Sequence, residues 1–110
     1  MTIYHLTTPT IWHQSHGKDA YTTDSLETEG FIHASTAAQL TATANRYFAG
    51  QPELCVLHID TDKLESELKW ELAASICEEF PHIYGAINKS AITFMGVIPP
   101  QVGGAWLIRV

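Results

Sequence analysis

The hydrophobic positions along the chain recur mainly with the alternation typical of β-strands, and one long stretch follows the helical period instead. Runs of β-branched and aromatic residues predict strands at 3–7, 20–22, 31–33, 54–60, 68–72, 91–98 and 106–110. The run at 54–60 is apolar at nearly every position, which indicates a strand in the centre of a sheet. The last strand, 106–110, is predicted to lie at a sheet edge.

Two helices are predicted, a short one near the N-terminus and a longer one in the first half of the chain. Thr8 is a suitable N-cap and Pro9 suits the first helical position, so the short helix begins there and ends at Gly17. The longer helix begins after Thr36 and ends before Gly50. Its apolar residues repeat every three or four positions and share one face: Ala37, Leu40, Ala44, Tyr47 and Phe48.

Most of the predicted strands are not separated by full helices, which favours an α+β fold over a doubly wound parallel sheet. Residues 81–85 are predicted to be irregular, because Pro81 interrupts a helix and Gly85 permits a turn. The length of 110 residues predicts one domain, spanning residues 1–110.

The composition narrows the classes of partner. The formal net charge is −6, whereas a general nucleic-acid-binding protein would carry a basic patch, so nucleic acid is an unlikely partner. No run approaches the roughly 18 apolar residues of a membrane span, and no basic-then-apolar leader opens the chain. The two cysteines, Cys55 and Cys77, lie far apart and predict no disulfide framework. We therefore expect a cytoplasmic protein without a membrane partner.

Three of the six histidines stand between apolar or aromatic neighbours, namely His5, His33 and His82. Burying an unpaired imidazole costs on the order of a few kcal/mol, so each of them needs hydrogen-bond partners. Either each is a hydrogen-bonded core residue or the three line a shared pocket. Their number favours the shared pocket.

Such a pocket is compatible with three kinds of chemistry. The histidines could ligate zinc with Glu29 or Glu71, although no pair has the spacing typical of metal sites. Ser35 could act with His33 as in a serine hydrolase, but no Gly-x-Ser-x-Gly elbow surrounds it. An anion or nucleotide could bind His33, Ser35 and the start of the longer helix, with Arg46 adding positive charge.

Five segments of the chain carry a resemblance to a known family. They are Ile3-Tyr4-His5-Leu6-Thr7, Glu29-Gly30-Phe31-Ile32-His33-Ala34-Ser35, Ala44-Asn45-Arg46-Tyr47, Trp70-Glu71 and Phe80-Pro81-His82-Ile83-Tyr84-Gly85. Together and in this order they look like the DUF952 family, small proteins of uncharacterised function. The resemblance covers nearly the whole chain.

The DUF952 family is grouped by fold with the ADP-ribosyltransferase-like proteins. The resemblance therefore implies a split β-sheet, mixed or antiparallel, with two main helices and a cleft between its halves. In that wider group a first-strand His-x-Thr contacts the nicotinamide ribose of NAD, and His5-Leu6-Thr7 is similar to it. NAD is thus the cofactor that the resemblance suggests.

The same resemblance implies an aromatic residue stacked on nicotinamide and a glutamate that orients the acceptor. Tyr84, Tyr47 and Phe31 are the candidates for the aromatic residue, and Glu71 is the candidate for the glutamate. The group's glutamate usually lies on a late strand, and residues 91–98 contain none.

We expect a histidine-lined cleft that binds a nucleotide-like or phosphorylated small ligand, with ADP-ribosyltransferase-like transfer as its chemistry. The expected catalytic residues are His33, Ser35 and Glu71, and the expected ligand-binding residues are His5, Thr7, Arg46, His82 and Tyr84. One alternative is a non-enzymatic binding or interaction module with structural histidines. Another is a metal-dependent hydrolase, although no metal ligands are assigned.

Overall fold

The fold was obtained as a computed structural model, which describes residues 1–99 and 103–110. In these residues, eight strands and three short α-helices alternate irregularly. In order they are β1 (Thr2–Thr7), α1 (Pro9–His13), β2 (Ala20–Tyr21), α2 (Ser25–Thr28), β3 (Ile32–His33), α3 (Leu40–Tyr47), β4 (Leu54–Asp60), β5 (Glu67–Ala73), β6 (Glu78–Tyr84), β7 (Ile87–Asn88) and β8 (Ile92–Ile98). The predicted α+β class is confirmed.

The strands form three sheets, and every pairing among the described residues is antiparallel. The first sheet has the order β1-β4-β8, the second pairs β2 with β7, and the third has the order β3-β6-β5. The apolar strand β4 is the centre of the first sheet, as its sequence predicts, and four of its residues in a row are buried. The radius of gyration is 13.3 Å, close to the ~13 Å of a compact single domain of this length.

A backbone bridge joins the first sheet to the segment that follows β3. The Tyr4 amide donates to the Ser35 carbonyl at 2.8 Å, and the Ser35 amide donates to the Tyr4 carbonyl at 2.7 Å. This pair covers the outer edge of β1 and places the end of β3 beside it. The first and third sheets are therefore held together at the point where β3 leads into the long helix.

Two groups of buried apolar side chains lie on opposite faces of the first sheet. One face carries Ile3, Leu57 and Ile59, which pack with Tyr21 and Ile83 of the other sheets. The other face packs against α3 and the C-terminal segment through Leu6, Leu40, Ala44, Leu54, Val56, Trp106 and Ile108. The strict alternation along β1 and β4 sorts these residues between the two faces.

The longer predicted helix is present, but its first turn has the tighter 3-10 geometry. Residues Ala37–Gln39 form that turn and α3 continues from Leu40. The Thr36 amide donates to the Gln39 side-chain carbonyl at 3.0 Å, so this end of the helix is capped from within. No helix in the described part of the chain combines the length and the apolar character needed to cross a membrane.

The prediction of irregular structure at residues 81–85 is wrong, because residues 78–84 form β6 with Pro81 in its middle. The Pro81 carbonyl accepts a hydrogen bond from the Ala34 amide at 3.1 Å. A residue in an antiparallel ladder turns its N–H and C=O to the same side, so the missing N–H of Pro81 faces the end of the two-residue β3. No hydrogen bond between β5 and β6 is lost, so the strand tolerates the proline.

The prediction of an edge strand at 106–110 is also wrong. This segment pairs with no strand among the described residues and runs along α3 instead. The Trp106 amide donates to the Asn45 side-chain oxygen at 2.7 Å, and the Ile108 amide donates to the Thr41 hydroxyl at 3.0 Å. Side chains of a helix thus satisfy the backbone groups that a neighbouring strand would otherwise bind.

The contribution of the core around Leu57 to stability can be tested with Leu57→Ala. Leu57 is fully buried, so its truncation should lower the free energy of unfolding by about 3 kcal/mol. Leu72→Ala removes the same atoms from a side chain that is 63% exposed and should change it by less than about 0.5 kcal/mol. Urea denaturation followed by tryptophan fluorescence measures both, and equal losses would contradict this assignment of the core.

Candidate functional site

A cavity of about 740 Å³ lies between the first and third sheets. Its walls come from β1, α1 and the residue after it, residues 22–29 around α2, the end of β3 and the two residues after it, α3, the last residue of β5, and β6. The lining residues are His5, Leu6, Thr7, Ile11, Gln14, Thr22, Thr23, Asp24, Ser25, Glu27, Glu29, His33, Ala34, Ser35, Thr43, Tyr47, Phe48, Ala73, Phe80 and His82. All three histidines from apolar settings therefore contribute to one cavity.

His5 forms the floor of the cavity, and its side chain is fully engaged. Its Nδ1 lies 2.5 Å from the His33 backbone carbonyl and its Nε2 lies 2.8 Å from the Tyr21 hydroxyl. A carbonyl can only accept, so the proton is on Nδ1, and the Tyr21 hydroxyl donates to Nε2. Burial lowers the pKa of His5 to about 4, so the ring is neutral at pH 7.

Two hydroxyls in the walls have no hydrogen-bond partner among the described residues. They are the Oγ1 atoms of Thr7 and Thr43, both shielded from solvent. Thr7 shares its strand face with His5, and its hydroxyl lies close enough to Tyr21 to lower the phenol pKa slightly without bonding geometry. Burial is the larger effect and raises the Tyr21 pKa well above its ordinary value. A buried hydroxyl without a partner is costly, so a ligand that bonds to it would be favoured.

His82 belongs to a polar chain on one face of the third sheet. Its Nδ1 lies 2.8 Å from the Glu71 Oε1 atom, which also accepts a hydrogen bond from the Tyr84 hydroxyl. Strand alternation places His82 and Tyr84 on one face of β6 and turns Glu71 toward them from β5. The hydrogen bonds from Tyr84 and His82 lower the pKa of Glu71, and the same contact raises the pKa of Tyr84.

His33 lies opposite His82 in the ladder and carries its own carboxylate partner. Its Nε2 lies 2.9 Å from the Glu29 Oε2 atom, and the pair is about half exposed. The His33 and His82 ring centroids are 5.5 Å apart. Phe31 stacks on the His82 ring, with the centroids 4.0 Å apart, and meets the His33 ring edge-on. The two imidazoles are thus packed around one aromatic ring.

Most of the residues singled out in the sequence meet at this cavity. Of the eight expected catalytic and ligand-binding residues, five line it: His5, Thr7, His33, Ser35 and His82. Glu29 and Tyr47, which were considered for other roles, line it too. Glu71 and Tyr84 do not line it and reach it only through His82. Arg46 stays outside, exposed near the end of α3 with its guanidinium 5.8 Å from the Tyr47 ring centre.

The start of the longer helix, expected to bind an anion, also lies outside the cavity. Thr36 and the turn Ala37–Gln39 are absent from its walls, and the Thr36 amide is already bonded to Gln39. The walls contain three carboxylates, Asp24, Glu27 and Glu29, and neither lysine nor arginine. The cavity is therefore acidic, which does not suit a phosphate group.

Several wall residues were not predicted from the sequence. Asp24, Glu27, Thr43 and Phe80 come from a single helical turn, the middle of α3 and the start of β6. Phe80 stands in one of the segments that resemble the family, but no role was assigned to it. No pattern distinguishes the other three from ordinary surface residues. Tyr21, the partner of His5, carried a weak signal of burial, because a large aromatic side chain in so short a strand needs apolar neighbours from other elements. In the described part of the chain no three histidine, cysteine or acidic side chains are placed to share a metal ion.

A comparison with protein families decides the relationship that the motifs suggest. Residues 6–95 match the sequence model of DUF952, a family described as a protein of unknown function. The chain belongs to the DUF952 family. The match includes His33, Ser35, Glu71, His82 and Tyr84, so most residues that line the cavity lie within the matched range. No curated protein matches this DUF952 chain.

Solved structures of a DUF952-like protein share the fold. The crystal structure of CC0527 from Caulobacter crescentus, a structural genomics target, has a TM-score of 0.85 at 26% identity, over 96% of this chain and 92% of that chain. Its double-mutant form gives a TM-score of 0.84 at 25% identity with the same coverage. The solution structure of CC0527 gives 0.79 at 27% identity, over 94% and 90% of the two chains.

The neutral His5 makes stability depend on pH. Its pKa rises from about 4 in the folded state toward 6.5 on unfolding, so the unfolded chain binds more protons between these values. The contribution of His5 is complete above pH 6.5 and is lost as the pH falls toward 4. From pH 7 to pH 4.5 the free energy of unfolding should fall by about 2 kcal/mol through this group alone.

Urea denaturation of the wild type and of His5→Gln at both pH values measures this contribution. Glutamine retains a donor and an acceptor but does not titrate, so the variant should lose about 2 kcal/mol less stability on acidification. His16→Gln changes an exposed histidine and should acidify like the wild type. An identical pH dependence in wild type and His5→Gln would contradict a neutral, buried His5.

Proposed function

We propose that this DUF952 protein binds a small uncharged or cationic ligand with a planar polar ring, and that His82 acts on it as a general base. The observation that carries the proposal is the contact between His82 Nδ1 and the Glu71 carboxylate, 2.8 Å long, at the wall of the acidic cavity. A histidine held in this way has one ring nitrogen bonded to the carboxylate, and the other can accept a proton from a ligand.

The Glu71 contact defines the proton positions on His82. The carboxylate accepts, so the Nδ1 atom of His82 carries a proton, and Nε2 keeps its lone pair while the ring is neutral. When Nε2 takes a proton from a ligand, Glu71 stabilises the resulting imidazolium. The side chain of His82 is only 13% exposed, which limits competition by water. His33, paired with Glu29 and 5.5 Å away between ring centroids, is placed to return a proton as a general acid.

The ligand class follows from the walls of the cavity. Asp24, Glu27 and Glu29 would repel a phosphate, so we revise the expected ligand from a phosphorylated one to an uncharged or cationic one. The aromatic residues Phe48 and Phe80 offer apolar surface for a planar ring. The unpartnered Thr7 hydroxyl offers a hydrogen bond to a ligand oxygen or nitrogen. A nucleoside meets these requirements better than a nucleotide.

ADP-ribosyltransferase-like transfer is the second candidate. It is favoured by one observation, that His5 and Thr7 line the same cavity as Ser35 and His82. Both ring nitrogens of His5 are already bonded, so only Thr7 is free to contact a ribose. Calorimetry with NAD, ADP-ribose and nicotinamide mononucleotide tests this candidate, and binding of NAD with release of nicotinamide would support it. The absence of heat with all three would remove it without affecting the first proposal.

The ligand class can be tested with pairs that differ by one phosphate. Adenosine should bind about tenfold more tightly than AMP, and nicotinamide riboside about tenfold more tightly than its mononucleotide, because the phosphate meets the wall carboxylates. NMR titration at low salt measures the four dissociation constants. Tighter binding of AMP than of adenosine, or no binding by any of the four, would contradict the proposal.

Matched variants test whether the carboxylates of the cavity wall repel the phosphate. Glu27→Gln and Glu29→Gln each remove one wall charge and should narrow the preference for adenosine over AMP. Glu53→Gln makes the same change at an exposed site outside the cavity and should leave the preference unchanged. Equal effects of all three variants would show that net charge, and not the cavity, sets the preference.

The role of Glu71 has its own test. Nitrogen-15 NMR should show the neutral His82 ring with its proton on Nδ1 in the wild type, because Glu71 accepts from that atom. Glu71→Ala should return His82 to a mixture of tautomers, whereas Tyr84→Phe removes the other partner of Glu71 and should keep the Nδ1 proton. A wild-type His82 protonated on Nε2 would overturn the assignment of His82 as the base.

A further inference from the structure

Phe31 has a place beside the cavity that the cavity walls do not explain. It directly precedes β3 and is one of the aromatic residues expected from the sequence to stack on a ligand, yet it is absent from the walls. One face of its ring is covered by the His82 imidazole instead, with the centroids 4.0 Å apart and the two planes 16° from parallel. The ring of Phe31 therefore contacts the proposed base and not the space for the ligand.

Hydrogen bonds hold the backbone of Phe31 in place. Its carbonyl accepts a hydrogen bond from the Ser25 hydroxyl at 2.8 Å, and that hydroxyl lies 2.7 Å from Thr23 Oγ1. The preceding Gly30 has a φ of 90°, which residues with a side chain rarely adopt, and its amide donates to the Ser25 carbonyl at 3.0 Å. These contacts fix the position from which the Phe31 ring reaches His82.

Two contacts together define the orientation of the His82 ring. The hydrogen bond from Nδ1 to Glu71 holds one atom of the imidazole but permits rotation of the ring about that bond. The stacked Phe31 ring lies nearly parallel to the imidazole and removes this freedom. The direction in which Nε2 points is then fixed as well.

The stack also distinguishes the two protonation states of His82. The face of an aromatic ring is the negative part of its quadrupole, so a cation within about 6 Å of the ring centre is attracted to it. The separation of 4.0 Å between the two ring centroids lies well inside this limit. The imidazolium therefore gains an attraction that the neutral ring lacks, in addition to that of the Glu71 carboxylate.

We propose that Phe31 is a positioning residue for His82: its ring sets the plane of the imidazole and stabilises the imidazolium that forms when Nε2 takes a proton. This inference rests on the proposed function, because it assigns a partner to the base named there. The ionisable groups around His82 come from several elements: Glu67, Lys69 and Glu71 of β5, Tyr84 of β6, His33 of β3 with its partner Glu29, and Asp24 and Glu27 of the cavity wall. Replacing Phe31 removes none of these groups, so a comparison of variants isolates the effect of its ring.

Nitrogen-15 NMR of the intact chain tests this role at a fixed pH at which both forms of His82 are observed. In Phe31→Leu the ratio of imidazolium to neutral His82 should be about threefold lower than in the wild type, because leucine has no π face. Phe31→Tyr keeps an aromatic ring and should keep the wild-type ratio. Phe94→Leu makes the same change at a ring that is 60% exposed and meets His58 edge-on, so it should leave the His82 ratio unchanged.

The same spectra separate this proposal from the proposed function. Glu71 still accepts from Nδ1 in Phe31→Leu, so the neutral His82 ring should keep its proton on that atom. An unchanged ratio in Phe31→Leu, or an equal fall in Phe94→Leu, would overturn the role of Phe31 and leave His82 as the base. A neutral wild-type His82 with its proton on Nε2 would remove the base and this proposal with it.

A measurement on the wild type decides the matter if Phe31→Leu fails to fold, which thermal unfolding would reveal. Shielding by the stacked Phe31 ring should move the carbon-bound ring protons of His82 upfield of those of the exposed His16. Matching chemical shifts for the two histidines would show that the rings do not stack, and the proposal would be wrong.

Discussion

The side chain of His5 links the first sheet to the other two, and the rest of the structure depends on this one arrangement. It projects from β1 of the first sheet, receives a hydrogen bond from Tyr21 in the second sheet and donates to the His33 carbonyl in the third. A two-stranded sheet such as the one formed by β2 and β7 is only marginally stable alone, so its packing against the other sheets has to stabilise it. An imidazole with one donor and one acceptor joins them without leaving a buried polar atom unpaired.

The hydrogen bonds of His5 also determine where the cavity lies. Because both ring nitrogens of His5 are bonded, the chemistry that we propose at the cavity is assigned to the two histidines of the third sheet, His33 and His82. They face each other across a ladder pair, and each has a carboxylate partner. The backbone bridge between Tyr4 and Ser35 fixes the end of β3 beside β1 and thereby brings these rings to the wall of the cavity.

An element could be predicted from the sequence when the interactions that form it are local in the chain. Local patterns were enough for β1, β4, β5, β8 and the longer helix, because alternation, helical spacing and capping residues act within a few positions. They failed at Pro81, where the missing N–H happens to face the end of a short neighbouring strand. They failed again at 106–110, where Asn45 and Thr41 of a distant helix bind the backbone in place of a strand. Both errors concern partners more than 40 positions away in the chain.

The sequence alone determined the α+β class, the family through its ordered motifs, and the suspicion that His5, His33 and His82 share surroundings. Only the tertiary structure decided their separate roles, since a histidine's role depends on which atoms meet its two nitrogens. It assigned His5 to the interior, left Arg46 on the surface, and gathered Asp24, Glu27 and Glu29 around the cavity. The charge of a cavity is a sum over residues from many segments, and chain order does not reveal that sum.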